Sequence, residues 1–239
     1  MKRVMLAAVL ALSAGTSAAD KLDQIGTLSQ TNFTEISKDL VAAFSYKAGS
    51  PAEALGITGF DVGLAVSSTK LKYTSAWTAA MSTGKTMDTL VVPKLYIQKG
   101  LPFDVDVGAY YLSVPNSNID AWGAELKYAI ISGNVALPAV AVRAAVTTLN
   151  VDNQLDLTTR SLDVSISKSV LFLTPYAGVG RVWGDSRPMG TTPVANAVTV
   201  SETKSFVGLS IQPGFFNLAL ERDSVGGIAS YNMKLGVAF

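Results

Sequence analysis

The sequence predicts an all-β protein, a closed antiparallel transmembrane β-barrel of about ten strands, with eight or twelve as alternatives and a short N-terminal amphipathic helix. Three observations carry this. The chain ends in Ile228-Ala-Ser-Tyr-Asn-Met-Lys-Leu-Gly-Val-Ala-Phe239, where Ala229, Tyr231, Met233, Leu235, Val237 and Phe239 alternate with Ser230, Asn232, Lys234, Gly236 and Ala238. A period of two puts these sets on opposite faces of a strand, and an aromatic last residue suits a strand that closes a wall without a tail. At the other end, Lys2 and Arg3 precede an apolar stretch from Val4 to Leu12 and the small residues Ser17, Ala18 and Ala19. That pattern reads as a secretory signal peptide over residues 1–19, cut before Asp20. The third observation is an apolar content of 49% with no later run near the roughly 18 residues a membrane helix needs.

Composition narrows the chemistry. Loss of Lys2 and Arg3 with the leader turns the formal charge of +1 slightly negative, so nothing points to nucleic acid. Cysteine is absent, which excludes a disulfide scaffold despite export. Histidine is absent too, so no Ser-His-Asp triad or His-ligated zinc site can be assembled. The expectation is a non-enzymatic protein without a cofactor or a metal. Gly178-Val-Gly180 opens no phosphate loop, and Asp61, Asp104 and Asp106 lack the loop spacing of a calcium site.

The domain plan is a signal peptide over 1–19, an N-terminal extension over 20–56 and a barrel over 57–239. Within the barrel ten alternating segments follow one another. Segment 57–69 turns Phe60, Val62, Leu64 and Val66 outward and Asp61 inward, and 88–99 turns Val91, Leu95 and Ile97 outward and Lys94 inward. After the turn at 100–102, segment 103–114 sets Val105, Val107 and Tyr111 against Asp104 and Asp106. Pro115-Asn-Ser-Asn118 reverses the chain into 119–131, where Trp122, Leu126 and Ile130 oppose Glu125 and Lys127. Segment 136–149 places Arg143 inside, and 157–170 sets Leu162, Val164 and Ile166 against Asp163. In 172–184, inward placement of Arg181 implies that Pro175, Ala177 and Val179 share its face, with Tyr176 and Val182 outside. Segment 201–212 holds Lys204 inside, 215–224 opposes Leu218 and Leu220 to Glu221 and Asp223, and 228–239 contributes Lys234.

The connections give an independent check. Turns near 100–102, 132–135, 170–172 and 213–214 are short, whereas those near 70–87 and 185–200 are long, as expected of periplasmic turns and surface loops. Trp122, Trp183 and Tyr231 fall near the outer membrane interface. Phe103, Tyr128, Phe172, Phe215 or Phe216, and Phe239 fall near the inner one, giving two aromatic girdles. The competing fold is a β-sandwich or soluble lipocalin-like barrel, which explains neither the terminal Phe239 nor the unequal loops.

In the extension, Phe33, Ile36, Leu40, Ala43 and Phe44 recur at helical spacing, and Asn32 with Glu35 reads as a helix start. The spacing predicts a helix over about 33–46 that plugs the lumen or rests at its rim. A strand competes, since Leu40, Ala42, Phe44 and Tyr46 also alternate; with Leu71 to Trp77 it would raise the count to twelve. Mixed charge inside a narrow barrel favours pairing, for instance of Glu125 and Lys127 with Arg143. A gated conduit is the functional alternative.

Several segments resemble a group of poorly characterised proteobacterial outer-membrane β-barrel proteins. They include Ser37-Lys-Asp-Leu-Val-Ala-Ala-Phe-Ser-Tyr46, Leu55-Gly-Ile-Thr-Gly-Phe-Asp-Val-Gly63, Lys99-Gly-Leu-Pro-Phe103, Trp122-Gly-Ala-Glu-Leu-Lys-Tyr128 and Leu173-Thr-Pro-Tyr-Ala-Gly-Val-Gly180. The resemblance implies export to the bacterial outer membrane and a structural role for the extension, but no substrate and no catalytic residue. The expected partners are outer-membrane lipid, the barrel-insertion machinery during biogenesis and an unidentified ligand of the surface loops. Three functions follow as expectations: a small passive or gated channel, a closed-lumen structural or adhesion barrel, and transport of a hydrophobic molecule.

Overall fold

The computed structural model describes residues 22–81, 86–113, 119–190 and 193–239; the signal peptide and the turn at 115–118 lie outside them. Ten antiparallel strands close on themselves: β1 (Phe60–Lys70), β2 (Thr89–Leu101), β3 (Val105–Ser113), β4 (Ile119–Ile131), β5 (Ala139–Val151), β6 (Leu155–Ser167), β7 (Leu173–Pro188), β8 (Val198–Ile211), β9 (Phe216–Val225) and β10 (Ile228–Ala238). The count is ten, neither eight nor twelve. Each strand pairs with its sequence neighbours, and β10 returns to β1 in the register Val62↔Val237 and Leu64↔Leu235. Closure gives every strand a partner on both sides.

The closing seam needs glycine. Gly63 and Gly236 face each other across it, and a Cβ on Gly63 would lie 2.6 Å from the Leu235 carbonyl oxygen. The end that carries Phe60 and Phe239 is called the base, and the opposite end the mouth. Base turns are tight and use left-handed residues, Phe103 (φ 65°) and Asp104 (φ 57°) between β2 and β3 and Gly214 (φ 75°) between β8 and β9. At the mouth, β9 and β10 join through Gly226 (φ 59°) and Gly227 (φ 81°), the paired positive φ of a primed hairpin turn. The wall is uneven there: β8 pairs with β9 only from Lys204 onward, so its first turns of chain stand above the rest.

The outer face is an apolar belt. Leu95, Leu126, Val164, Val207 and Leu235 are 55%, 52%, 47%, 58% and 44% exposed. Inside, the chain supplies its own filling. Helix α1 (Gln30–Phe44) lies within the barrel, and a shorter helix α2 (Thr74–Ala80) folds in from the β1–β2 connection. Helix α1 begins three residues earlier than predicted, because Ser29 rather than Asn32 is the cap and its Oγ accepts from the Asn32 backbone N–H at 3.3 Å. Nor is α1 apolar on one face only. Every residue from Asp39 to Phe44 is buried, since a helix inside a barrel meets wall on all sides. The strand alternative for Leu40 to Tyr46 is overturned, and so is that for Leu71 to Trp77, which α2 occupies in part.

The plugged lumen as candidate functional site

The lumen divides into an apolar upper storey and an ionic lower one. In the upper storey Phe33, Ile36, Leu40 and Phe44 of α1 pack in one cluster with Trp77 of α2 and with Leu149, Leu157, Val182 and Val200 of the wall. Gly184 of β7 lets α1 come close, since a Cβ there would collide with the Val41 side chain. One charge enters this storey. Asp39 is fully buried and accepts from the backbone N–H of Lys72 and Tyr73, both at 3.1 Å, and from Trp77 Nε1 at 2.9 Å. It ties α1 to the start of α2. Burial pushes its carboxyl above the ordinary carboxylate range, and the bonds from Lys72, Tyr73 and Trp77 hold that rise in check.

Below Phe44 the chain continues as an extended strap, residues 45–55, bonded to the wall at almost every step. Lys47 Nζ reaches Asp223 at 2.8 Å, the Gly49 N–H donates to Glu221 at 2.8 Å, and the Ala52 N–H donates to Ser167 Oγ at 3.1 Å. The Leu55 N–H ends the series on Asp106 at 3.1 Å. The wall donates in return. Lys204 Nζ reaches the Tyr46 carbonyl, and Lys127 Nζ reaches the carbonyls of Pro51 and Glu53, each at 2.9 Å. These bonds satisfy a backbone that has no secondary structure of its own.

The wall charges pair around the strap. Arg143 lies 2.8 Å from Glu125 and 3.9 Å from Asp163, Lys127 lies 3.0 Å from Asp106, Lys204 lies 3.1 Å from Asp163, and Lys234 meets Asp61. Two lumen charges stand apart. Lys94, 6% exposed, has its Nζ over the Tyr110 ring at 4.8 Å and no ion pair among the described residues. Glu221 accepts from Gly49, from Tyr176 Oη at 3.1 Å and from Asn232 at 3.3 Å, all uncharged donors. Both line the same enclosed cavity of about 30 Å³, room for a water or two at roughly 10–15 Å³ each. A separate polar vestibule of about 290 Å³ opens at the base beside Glu53, Asp61, Lys127 and Asn217.

The structure places Asp61, Lys94, Asp106, Glu125, Lys127, Arg143, Asp163, Lys204, Glu221 and Lys234 in the lumen, all buried. Two predicted lumen charges lie elsewhere. Asp104 sits exposed in the β2–β3 turn and accepts from Ser132 Oγ at 2.9 Å. Arg181 points outward, where its Nε donates to Ser201 Oγ at 3.0 Å. The faces of β7 are therefore reversed: Tyr176 and Val182 are buried inside, and Pro175 and Val179 are exposed outside. Two buried charges, Lys47 and Asp39, escaped prediction because they lie on the extension, which has no strand parity; Asp223, set on the inward face with Glu221 by its segment, is buried there as well.

The aromatic positions are all on the outside. Trp122, Trp183 and Tyr231 lie toward the mouth and are 50%, 38% and 58% exposed, and Phe103, Tyr128, Phe172, Phe216 and Phe239 lie toward the base and are half-exposed or more. Inward glycines seat the internal rings. Added Cβ atoms would strike the Tyr110 ring at Gly123, the Phe206 ring at Gly178 and the Tyr176 ring at Gly208.

Fold and site define a closed ten-stranded antiparallel barrel stoppered by its own N-terminal segment. No protein-family model and no curated protein matches the sequence. Among solved structures it is similar to the N-terminal β-barrel domain of Pseudomonas aeruginosa OprF, at 11% identity and a TM-score of 0.38 over 75% of this chain and 99% of that one. It is similar to the KdgM porin at 10% identity and 0.38, over 75% and 99%. Ail, the attachment invasion locus protein of Yersinia pestis, follows at 12% and 0.32, over 76% and 97%.

Proposed function

We propose that the protein is an outer-membrane β-barrel that works with its lumen closed, as a non-enzymatic structural or adhesion protein acting through its mouth loops. The filled lumen carries this reading. Helix α1 and the strap occupy the barrel from mouth to base, and the cavity that Lys94 and Glu221 share beside them is about 30 Å³. The membrane assignment rests on the apolar belt, since a soluble barrel would expose side chains such as Leu95 and Leu126 at about 25 cal/mol per Å². Short turns at the base and longer connections at 71–88 and 189–197 support an orientation with the base toward the periplasm and the mouth outward. Lipid is then the partner of the belt, the insertion machinery is a partner during assembly, and the mouth loops carry the contact with an outside partner.

A gated channel is the second reading, favoured by one observation. The plug is a single continuous segment whose lower half is held by polar bonds, so its removal would uncover a charged lumen. Conductance across a planar bilayer decides between the two. The refolded mature protein is expected to be silent, while a chain lacking residues 20–50 conducts. Spontaneous openings of the intact protein would replace the closed-lumen reading with the gated one, and steady conductance would overturn the closed lumen itself.

A further inference from the structure

The plug runs in one direction only. From mouth to base its contacts step down the wall in sequence order. The Gln30 side chain meets the Asn196 backbone in the connection above β7 and β8, with the Asn196 N–H donating to Gln30 Oε1 at 2.8 Å. Ser37 Oγ then meets Ser186 Oγ at 2.9 Å near the top of β7, and the Phe44 carbonyl accepts from Tyr110 Oη at 3.1 Å. Lys47 follows at Asp223, Gly49 at Glu221, Ala52 at Ser167 and Leu55 at Asp106, the last two near the base. Gly56 (φ 76°) then leads into β1. The descent is a single pass.

The segment ahead of α1 lies across the mouth. The Gln24 N–H donates to the Ala80 carbonyl at 3.2 Å, beside the β1–β2 connection. On the other side, the Val194 N–H donates to the Gly26 carbonyl at 3.1 Å, and the Gly26 N–H donates to Gln154 Oε1 at 3.3 Å. Leu22, Ile25 and Leu28 turn down into the apolar storey, whereas Asp23, Thr27, Ser29 and Gln30 are exposed. Residues 22–30 thus form a lid joined to both of the tall connections. Helix α1 packs against the wall residues of the upper storey, and the strap bonds to the wall below it.

We propose that the barrel displays its own N-terminal segment: residues 22–30 form part of the outer cell surface, and any chain joined ahead of Leu22 emerges there. This rests on the orientation proposed above, with the mouth outward. The lid is then a surface epitope in its own right.

Because the full sequence contains no cysteine, single-cysteine reporters read topology without background. Thr27→Cys probes the lid, Val194→Cys (67% exposed) the mouth connection, and Val135→Cys (fully exposed) the base. Each variant is confirmed as a folded barrel, then treated with a membrane-impermeant maleimide on intact and on permeabilised cells. The expected result is that T27C and V194C label to the same extent before and after permeabilisation, while V135C labels only afterwards. If V194C labels on intact cells but T27C does not, the threading is overturned. If V135C labels on intact cells while T27C and V194C both require permeabilisation, the orientation fails and the surface placement with it, although the lid still tracks the mouth. A short epitope inserted ahead of Leu22 is expected to bind antibody on intact cells; binding that appears only after permeabilisation, in a barrel whose V194C labels from outside, overturns the display.

Discussion

Arg143 holds two carboxylates at once, Glu125 at 2.8 Å and Asp163 at 3.9 Å, in a side chain with no exposure. Buried pairs of this kind add little net stability when intact but cost about 3–5 kcal/mol when one partner is removed, because the other charge is stranded. Arg143→Met is therefore expected to lower the urea midpoint of the refolded barrel by a corresponding amount. Adding Glu125→Gln should recover part of the loss, whereas a single variant as stable as the parent would show that the network is dispensable. Asp39 gives a second prediction, about pH. Its carboxyl is raised by burial, so the folded protein binds that proton more tightly than the unfolded chain does. The group's cost to folding is fully present above its folded pKa and fades as pH falls through that value toward the ordinary 3.8. Asp39→Asn should flatten this part of the profile of thermal midpoint against pH. Asp39→Ala strands the donors from Lys72, Tyr73 and Trp77 and should destabilise at every pH, by about 1–3 kcal/mol for each buried donor left unpaired.

Helix α1 depends on the wall more than on its own propensity. Its last turn is buried on all sides, and it approaches β7 over Gly184, where an added Cβ would meet Val41. Gly184→Leu is expected to push α1 off β7 without breaking the β6–β7–β8 pairing. The readout is protease cleavage in the lid, at residues 22–30, which should accelerate in the variant while the strands stay protected. Unchanged cleavage would mean that the helix has slack against the wall. The strands were legible for the opposite reason. Their alternation is a local signal, and the predicted segment 119–131 coincides with β4. The face of β7 was misassigned because Arg181 was given the lumen on charge alone. Gly178, Gly180 and Gly184 on the other parity, which seat Phe206, the Asp163 backbone and Val41, were the better guide to the inside.

At the scale of the molecule, the lumen is filled in two ways, by packing above and by charge pairing below. The bonds of the strap tie it to β3, β4, β6, β8 and β9 at different heights, so no single bond releases the plug. Lys94 and Glu221 mark where the pairing is incomplete. Lys94→Met is expected to be tolerated by the barrel, since the cation has no ion pair among the described residues to strand, and its urea midpoint should fall by less than that of Arg143→Met. An equal fall would reveal a partner for Lys94.

The sequence by itself determined the strands, the order in which they pair and the charge of most inward positions, because alternation and turn residues are encoded within a few neighbours. It placed a helix ahead of the barrel for the same reason. Only the tertiary structure decided that this helix enters the lumen, that it runs from mouth to base, and which buried charge meets which. Asp39 with Trp77 and Lys47 with Asp223 join residues far apart in the chain. Such contacts leave no periodic trace and exist only once the wall has closed around the segment that fills it.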